Sequence, residues 1–181
     1  MTHRAYLLTT PRLGLRRLVI EDLEALRPVF ADAYAAQFYP AMRKTERLVR
    51  WIHWNLQNYT DYGFGLWALE RLDTGVFVGD AGITYQTVEG QRVLEIGWHV
   101  HPQHRGQGLA TEAGRACLDY GFTQLQATTL CSMVDPANVA SIQVASRVHA
   151  RSRPFQGSQG PMHLFSTDAP ARVTPSPLIS V

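Results

Sequence analysis

The sequence predicts an α/β domain (α+β in some schemes), built on a mixed, mostly antiparallel sheet of six or seven strands with helices on both faces. Three observations carry this. Residues 66–100 hold three apolar runs separated by two short turns, the pattern of an antiparallel meander. At Pro102 the period changes: QHRGQG cannot be regular strand, and from Leu109 the apolar residues recur at helical spacing. The apolar run 128–134 follows that helix. A strand–helix–strand of this length is a parallel crossover, right-handed by strong precedent.

Element by element, residues 11–20 alternate apolar and polar after a proline and predict a first strand, Leu13, Leu15, Leu18 and Ile20 with arginines between. A helix follows from about Asp22. Glu21, Asp22 and Glu24 sit where the macrodipole favours negative charge, and Pro28 predicts a kink or split. Residues 33–44 read as an aromatic loop, and Thr45 as the N-cap of a second helix that Gly63 and Gly65 end. The meander strands are 66–72, 76–86 and 93–100, with turns at Asp73-Thr74-Gly75 and Glu89-Gly90-Gln91. After the crossover, Asp135-Pro136 makes a turn and Asn138 caps a helix to about His149. Residues 151–155 and 162–167 are short strand candidates. One domain, 1–168, is expected. Residues 169–181, with three prolines and two serines, read as a loose tail.

Composition narrows the function. With 181 residues, 45% hydrophobic and 18% charged, the chain has enough apolar surface for a core, which excludes disorder as its main state. Lys+Arg of 17 against Asp+Glu of 15 gives a net charge of +2. The basic residues are scattered rather than striped, so no nucleic-acid partner is expected. Cys117 and Cys131 lie in apolar surroundings without a C-x-x-C and read as buried free thiols. No signal-like or membrane-length apolar run occurs, so a cytoplasmic protein with no membrane partner is expected. His99, His101 and His104 invite a metal reading, but no carboxylate or cysteine completes a set, and no metal is expected.

The informative stretch is 93–111: a buried strand, a turn with two glycines, then a helix. The first turn of a helix leaves N–H groups unpaired and carries partial positive charge, so this is an anion site as much as a tight turn. Gly106 and Gly108 let backbone approach a phosphate, with His104 and Arg105 supplying charge at the mouth. G-x-x-x-x-G-K-[S/T] is absent, and the long meander opposes a dinucleotide-binding sheet. Glu95 is an acid in an otherwise apolar strand upstream of this loop. It is the best general-base candidate, against the alternative of a structural ion. The aromatic residues Tyr34, Phe38, Tyr39, Trp51, Trp54 and Tyr59 precede the meander, and core packing suffices for most of them.

Gln103-His104-Arg105-Gly106-Gln107-Gly108 resembles the Gln/Arg-x-x-Gly-x-Gly/Ala motif of the GNAT acyl-CoA N-acyltransferase superfamily. Asn138 through Ser141 resembles the Asn-x-x-Ser of its ribosomal-protein N-acetyltransferase (RimJ/RimL-like) branch. Residues 10–16, 22–26 and Glu95-Ile96-Gly97-Trp98 are similar to that branch's opening strand, first helix and central strand. The resemblance covers about residues 8–148.

It implies a GNAT-like fold and an acetyl-CoA-dependent N-acetyltransferase, with acetyl-CoA as cosubstrate. The acetyl group would pass directly, in a ternary complex, to a primary amine on a small molecule or a protein N-terminus. A non-catalytic CoA-binding or regulatory module is the alternative, and a monomer or homodimer is expected. Gln103, His104, Arg105, Gly106, Gln107, Gly108, Leu109, Ala110 and Thr111 would hold the CoA pyrophosphate. The backbone of His99, Val100 and His101 would pair with the pantetheine arm. Asn138 and Ser141 would line the thiol end, with Ser141 hydrogen-bonding the leaving thiolate. Tyr39 and Trp54 lie in the segment that covers the acceptor mouth. Where many members carry a tyrosine general acid this chain has Ala145, and where they carry Leu-Gly-Phe/Met it has Val148-His149-Ala150.

Overall fold

The meander occupies the centre of an eight-stranded sheet in a computed structural model describing residues 5–158 and 160–171. In chain order the elements are β1 (Leu8–Thr9), β2 (Leu13–Arg17), α1 (Leu23–Ala31), α2 (Ala33–Phe38), α3 (Thr45–Tyr62), β3 (Leu66–Arg71), β4 (Phe77–Val88), β5 (Gln91–Val100), α4 (Leu109–Thr123), β6 (Thr129–Val134), α5 (Val139–Val148), β7 (Arg151–Gly157) and β8 (Gly160–Asp168). The sheet order is β1-β2-β3-β4-β5-β6-β8-β7. Every pair is antiparallel except β5–β6, the crossover expected from the helix between them.

The α/β class and mixed, mostly antiparallel sheet match the expectation, with eight strands in place of six or seven. Both tail strands form fully, at 151–157 and 160–168, so their expected shortness is corrected. The first strand ends at Arg17, and Ile20 lies in a short 3-10 turn at 41% exposure rather than in the core. Pro28 sits inside α1, and the chain breaks four residues later, at extended Asp32. The expected loop of residues 33–44 holds α2, capped when the Asp32 side chain accepts the Ala35 N–H. Thr45 is the first residue of α3 rather than its cap. The tail beyond Ala171 lies outside the described residues.

The packing follows the period-2 pattern. Leu13, Leu15, Trp67, Leu69, Ile83, Ile96 and Leu130 meet Leu109, Ala113 and Cys117 of α4 in one core cluster. Leu26, Val29 and Phe30 of α1 pack with Leu48 and Ile52 of α3 in another. Among the described residues, no helix is long and apolar enough to cross a membrane.

α5 passes into β7 without a left-handed residue. His149, the C-cap, is extended (φ −105°, ψ 153°), which explains why no glycine is needed there. Its buried ring ties three elements: Nε2 lies 2.9 Å from Ser132 Oγ, and Nδ1 3.3 Å from Thr167 Oγ1. Ser132 donates onward to the Ile96 carbonyl, and Thr167 accepts the Ala150 N–H. A neutral imidazole satisfies this chain of bonds, and burial holds the His149 pKa down at about 4. The unfolded chain takes up a proton below about pH 6.5 while the folded one does not. Stability should therefore fall as pH drops from about 6.5 to about 4, by roughly 3 kcal/mol. Urea midpoints of the native protein and His149→Gln across that range should converge at acid pH. A constant offset would refute the linkage.

Candidate functional site

β5 and β6 share a single register pair, Glu95↔Cys131, and then part. Side chains bridge the start of the gap: Cys131 Sγ reaches the Leu94 carbonyl, and Glu95 Oε1 accepts the Met133 N–H at 3.1 Å. Where the strands diverge, a cleft of about 330 Å³ opens between the sheet, α1–α2 and the N-termini of α4 and α5.

The glycine turn enters α4 with both glycines left-handed, Gly106 at φ 74° and Gly108 at φ 78°. Side chains rarely adopt this conformation, which is the physical reason for the G-x-G spacing. The first helical bond runs from Glu112 N–H to the Gly108 carbonyl, so the amides of Leu109, Ala110 and Thr111 have no helical partner. Gly106, Gly108, Leu109, Ala110 and Thr111 all line the cleft. So do His99, Val100, His104, Arg105, Tyr39, Asn138 and Ser141.

Gln103, Gln107, His101, Glu95 and Trp54 do not line it. His101 Nδ1 instead accepts the Gln103 N–H, and the Gln107 carbonyl accepts Arg12 Nη1. Trp54 stands at the surface, tilted against Trp51 with ring centroids 5.4 Å apart. The guanidinium of Arg105 is turned away from the role expected of it. It pairs with both Asp32 oxygens (2.7 and 3.0 Å) and donates to the Val100 and Val29 carbonyls. That pairing also holds the Asp32 pKa below the usual carboxylate range. The positive character of the mouth is thus that of the helix N-terminus together with Arg147, which also lines the cleft.

Asn138 caps α5, its Oδ1 accepting the Ser141 N–H (3.1 Å) and the Tyr34 hydroxyl (2.8 Å). Tyr34 in turn accepts the Ala140 N–H, so α2 and the start of α5 are tied together. Ala145 is sealed against Val134 and Phe165, so that position offers no group to the cleft.

Glu95 and His99 share one face of β5 by the two-residue period of the strand. Burial pushes the Glu95 carboxyl up to about 7, against the opposing pull of the Met133 N–H and His99. Burial, with the nearby carboxylates Glu95 and Asp80, also holds the Tyr39 hydroxyl well above the usual phenol range. His99 donates from or accepts at Nδ1, 2.7 Å from Oδ1 of Asp80, a fully buried carboxylate whose Oδ2 accepts Trp51 Nε1 at 3.0 Å. Phe30, Tyr39 and Trp51 wall the imidazole, with ring centroids at 4.9, 4.9 and 5.5 Å.

Sequence reasoning missed Asp80, although the signal used for Glu95, an acid within an apolar strand, is also present in FVGDAGI. Tyr34 and Asp32 were missed as parts of the site because they act across more than 70 residues of chain. Among the described residues no three His, Cys, Asp or Glu side chains gather as a metal site. Behind the glycine turn a second, wider cleft of about 770 Å³ is bordered by Arg12, Arg115 and Arg147.

Residues 12–151 match the family model described as an acetyltransferase (GNAT) domain. The chain is 39% identical over 142 residues to the uncharacterized protein YkkB of Bacillus subtilis, covering 78% of this chain and 83% of that one. An acetyltransferase from Agrobacterium tumefaciens superposes with a TM-score of 0.78 at 27% identity, over 92% of this chain and 96% of that one. RimL, a ribosomal L7/L12 α-N-protein acetyltransferase solved with coenzyme A, shares the fold (TM-score 0.73, 13% identity, 91% and 98% covered).

Proposed function

The chain belongs to the GNAT acetyltransferase family, as an N-acetyltransferase, and from that we propose that it moves the acetyl group of acetyl-CoA directly onto a primary amine in a ternary complex. The observation that carries the reading is the parting of β5 from β6 beside two helix N-termini. An extended pantetheine arm fits the strand edge left open at residues 97–100, and the unpaired amides at the start of α4 suit a pyrophosphate. Arg115 and Arg147 behind the turn suit further phosphate on the same ligand, while Arg12 there is paired with Glu112 at 2.6 Å. The likeness to the RimJ/RimL branch favours a protein N-terminal amine as acceptor, with small amines as the other class. Family membership speaks for an enzyme over a non-catalytic module.

The chemistry asks little of the chain. The amine must reach the thioester unprotonated, the tetrahedral oxyanion needs an N–H donor, and the thiolate needs a proton. The edge amides of β5 supply the donor. Ser141, in the cleft on the first turn of α5, suits the thiolate. Two proton acceptors share the β5 face, Glu95 and His99.

Calorimetry with acetyl-CoA should show binding, and thiol release with a panel of amines and N-terminal peptides should show turnover. No acetyl-CoA binding would sink the reading; binding without turnover on any acceptor would favour the module. Glu95→Gln keeps an acceptor for the Met133 N–H. It is expected to leave acetyl-CoA affinity within about twofold and to lower kcat by less than about tenfold, or roughly 1.4 kcal/mol.

A further inference from the structure

Within the acetyl-transfer reading, we propose that the group taking the proton from the acceptor amine is His99, through Nε2, and that Asp80 and Trp51 are the positioning residues that set its tautomer. His99 lines the cleft, whereas Glu95 does not and spends Oε1 on the Met133 N–H. Nδ1 of His99 faces the buried Asp80 carboxylate, so in the neutral ring the proton sits on Nδ1 and Nε2 keeps its lone pair. Among the described residues Nε2 has no hydrogen-bond partner, yet it is not among the sealed, unpaired side-chain atoms. It opens on the cleft. The aromatic walls of Phe30, Tyr39 and Trp51 leave the ring one orientation.

The step balances without any other reagent. A neutral amine nitrogen attacks the thioester carbon, the C–N bond forms, and Nε2 accepts the proton shed by nitrogen. The C–S bond breaks, and the thiolate ends as the CoA thiol. Its proton comes from the imidazolium, directly or through Ser141 or water. The transient imidazolium lies against Asp80, which is what a buried carboxylate at Nδ1 provides.

Trp51 makes the arrangement testable. Its indole N–H can only donate. In Asp80→Asn the amide oxygen must turn to Trp51, which leaves the amide NH2 facing Nδ1. Nδ1 then becomes the acceptor, and the proton moves to Nε2. The substitution is close to isosteric, so the fold is kept while the base is lost.

The experiment combines 15N NMR of the histidine rings with steady-state kinetics on the native chain, Asp80→Asn, His99→Gln and the double variant Asp80→Asn/Trp51→Phe. In the native protein Nε2 of His99 should be the bare nitrogen, and its resonance should move on saturation with acetyl-CoA. In Asp80→Asn the bare nitrogen should be Nδ1, with acetyl-CoA affinity within about twofold and kcat down about 10³–10⁴-fold, as for the same change in a hydrolase triad. His99→Gln should lose as much, should one buried variant fail to fold. The double variant frees the amide to turn its oxygen back to Nδ1 and should regain at least tenfold of the lost kcat. A bare Nδ1 in the native protein, an Nε2 resonance blind to acetyl-CoA, or an Asp80→Asn kcat within tenfold of native would overturn the proposal. So would a kcat loss in Glu95→Gln as large as in His99→Gln. Failure of the acetyl-transfer reading shows separately, as absence of acetyl-CoA binding in calorimetry, while the tautomer is still read in the free protein.

Discussion

Arg16→Met should cost about 3–5 kcal/mol of folding stability, the size expected when a buried charge cluster loses its counter-ion. Arg16 projects from β2 between two carboxylates: Nε donates to Glu70 at 2.9 Å, and Nη1 and Nη2 grip both oxygens of Asp22 at 2.7 Å. Glu70 is fully buried and Asp22 is 6% exposed, so neither can turn to water. Both carboxylates hold the guanidinium in its charged form. Asp22 also accepts the Val19 N–H, so the cluster fixes the turn from β2 into α1. Removing the cation leaves two anions in a poor dielectric. Neutralising them as well, in Arg16→Met/Asp22→Asn/Glu70→Gln, should recover part of the loss. Urea unfolding with an unchanged m-value measures it, and a loss below 1 kcal/mol would show the cluster to be dispensable.

Replacing both turn glycines, Gly106→Ala with Gly108→Ala, should weaken acetyl-CoA binding about 100-fold or more, or roughly 3 kcal/mol. A Cβ at Gly106 meets nothing within 4 Å, and at Gly108 only Arg12 Nη2 at 3.6 Å. The protein therefore has room for both methyl groups. The cost is conformational: each left-handed residue becomes unfavourable by roughly 1–2 kcal/mol, and the loop relaxes by swinging its amides. Helix content should be retained by circular dichroism while affinity falls in calorimetry. Unchanged affinity would mean that these amides do not meet the ligand.

The legible parts of the fold were those set by local chemistry. The meander announces itself because its turns carry glycine at 75 and 90, both left-handed, between apolar runs. The crossover announces itself by a change of period, and α5 by its asparagine cap. Where the reading failed, the deciding partner was remote. α2 is a six-residue helix that its alanines and the Asp32 cap could have suggested, but Asp32 is held by an arginine 73 residues away. The tail strands read as short, at 151–155 and 162–167, yet both run past their prolines. Pro154 is tolerated because β7 is an edge strand, and Pro161 because β8 pairs with β6 only from His163 onward. In the site, the glycine turn and Asn138 were legible. The direction of Arg105 and the Asp80–His99 pair were not, since strand register decides which side chains meet.

The single register pair between β5 and β6 has a thermodynamic side. Elsewhere the sheet is laced by long ladders, ten residue pairs between β4 and β5 and six between β6 and β8. The sheet is thus two well-laced ladders meeting along one under-bonded line, with the shared core of α4 beneath it. An acetyl-CoA bound there as proposed would supply the ladder the chain itself omits, so occupancy and folding would draw on the same free energy. Each tenfold rise of such a ligand above its Kd adds about 1.4 kcal/mol to the stability of the whole. The free protein would then be the less cohesive of its two forms, and the level of acetyl-CoA around it would help set how long each copy survives.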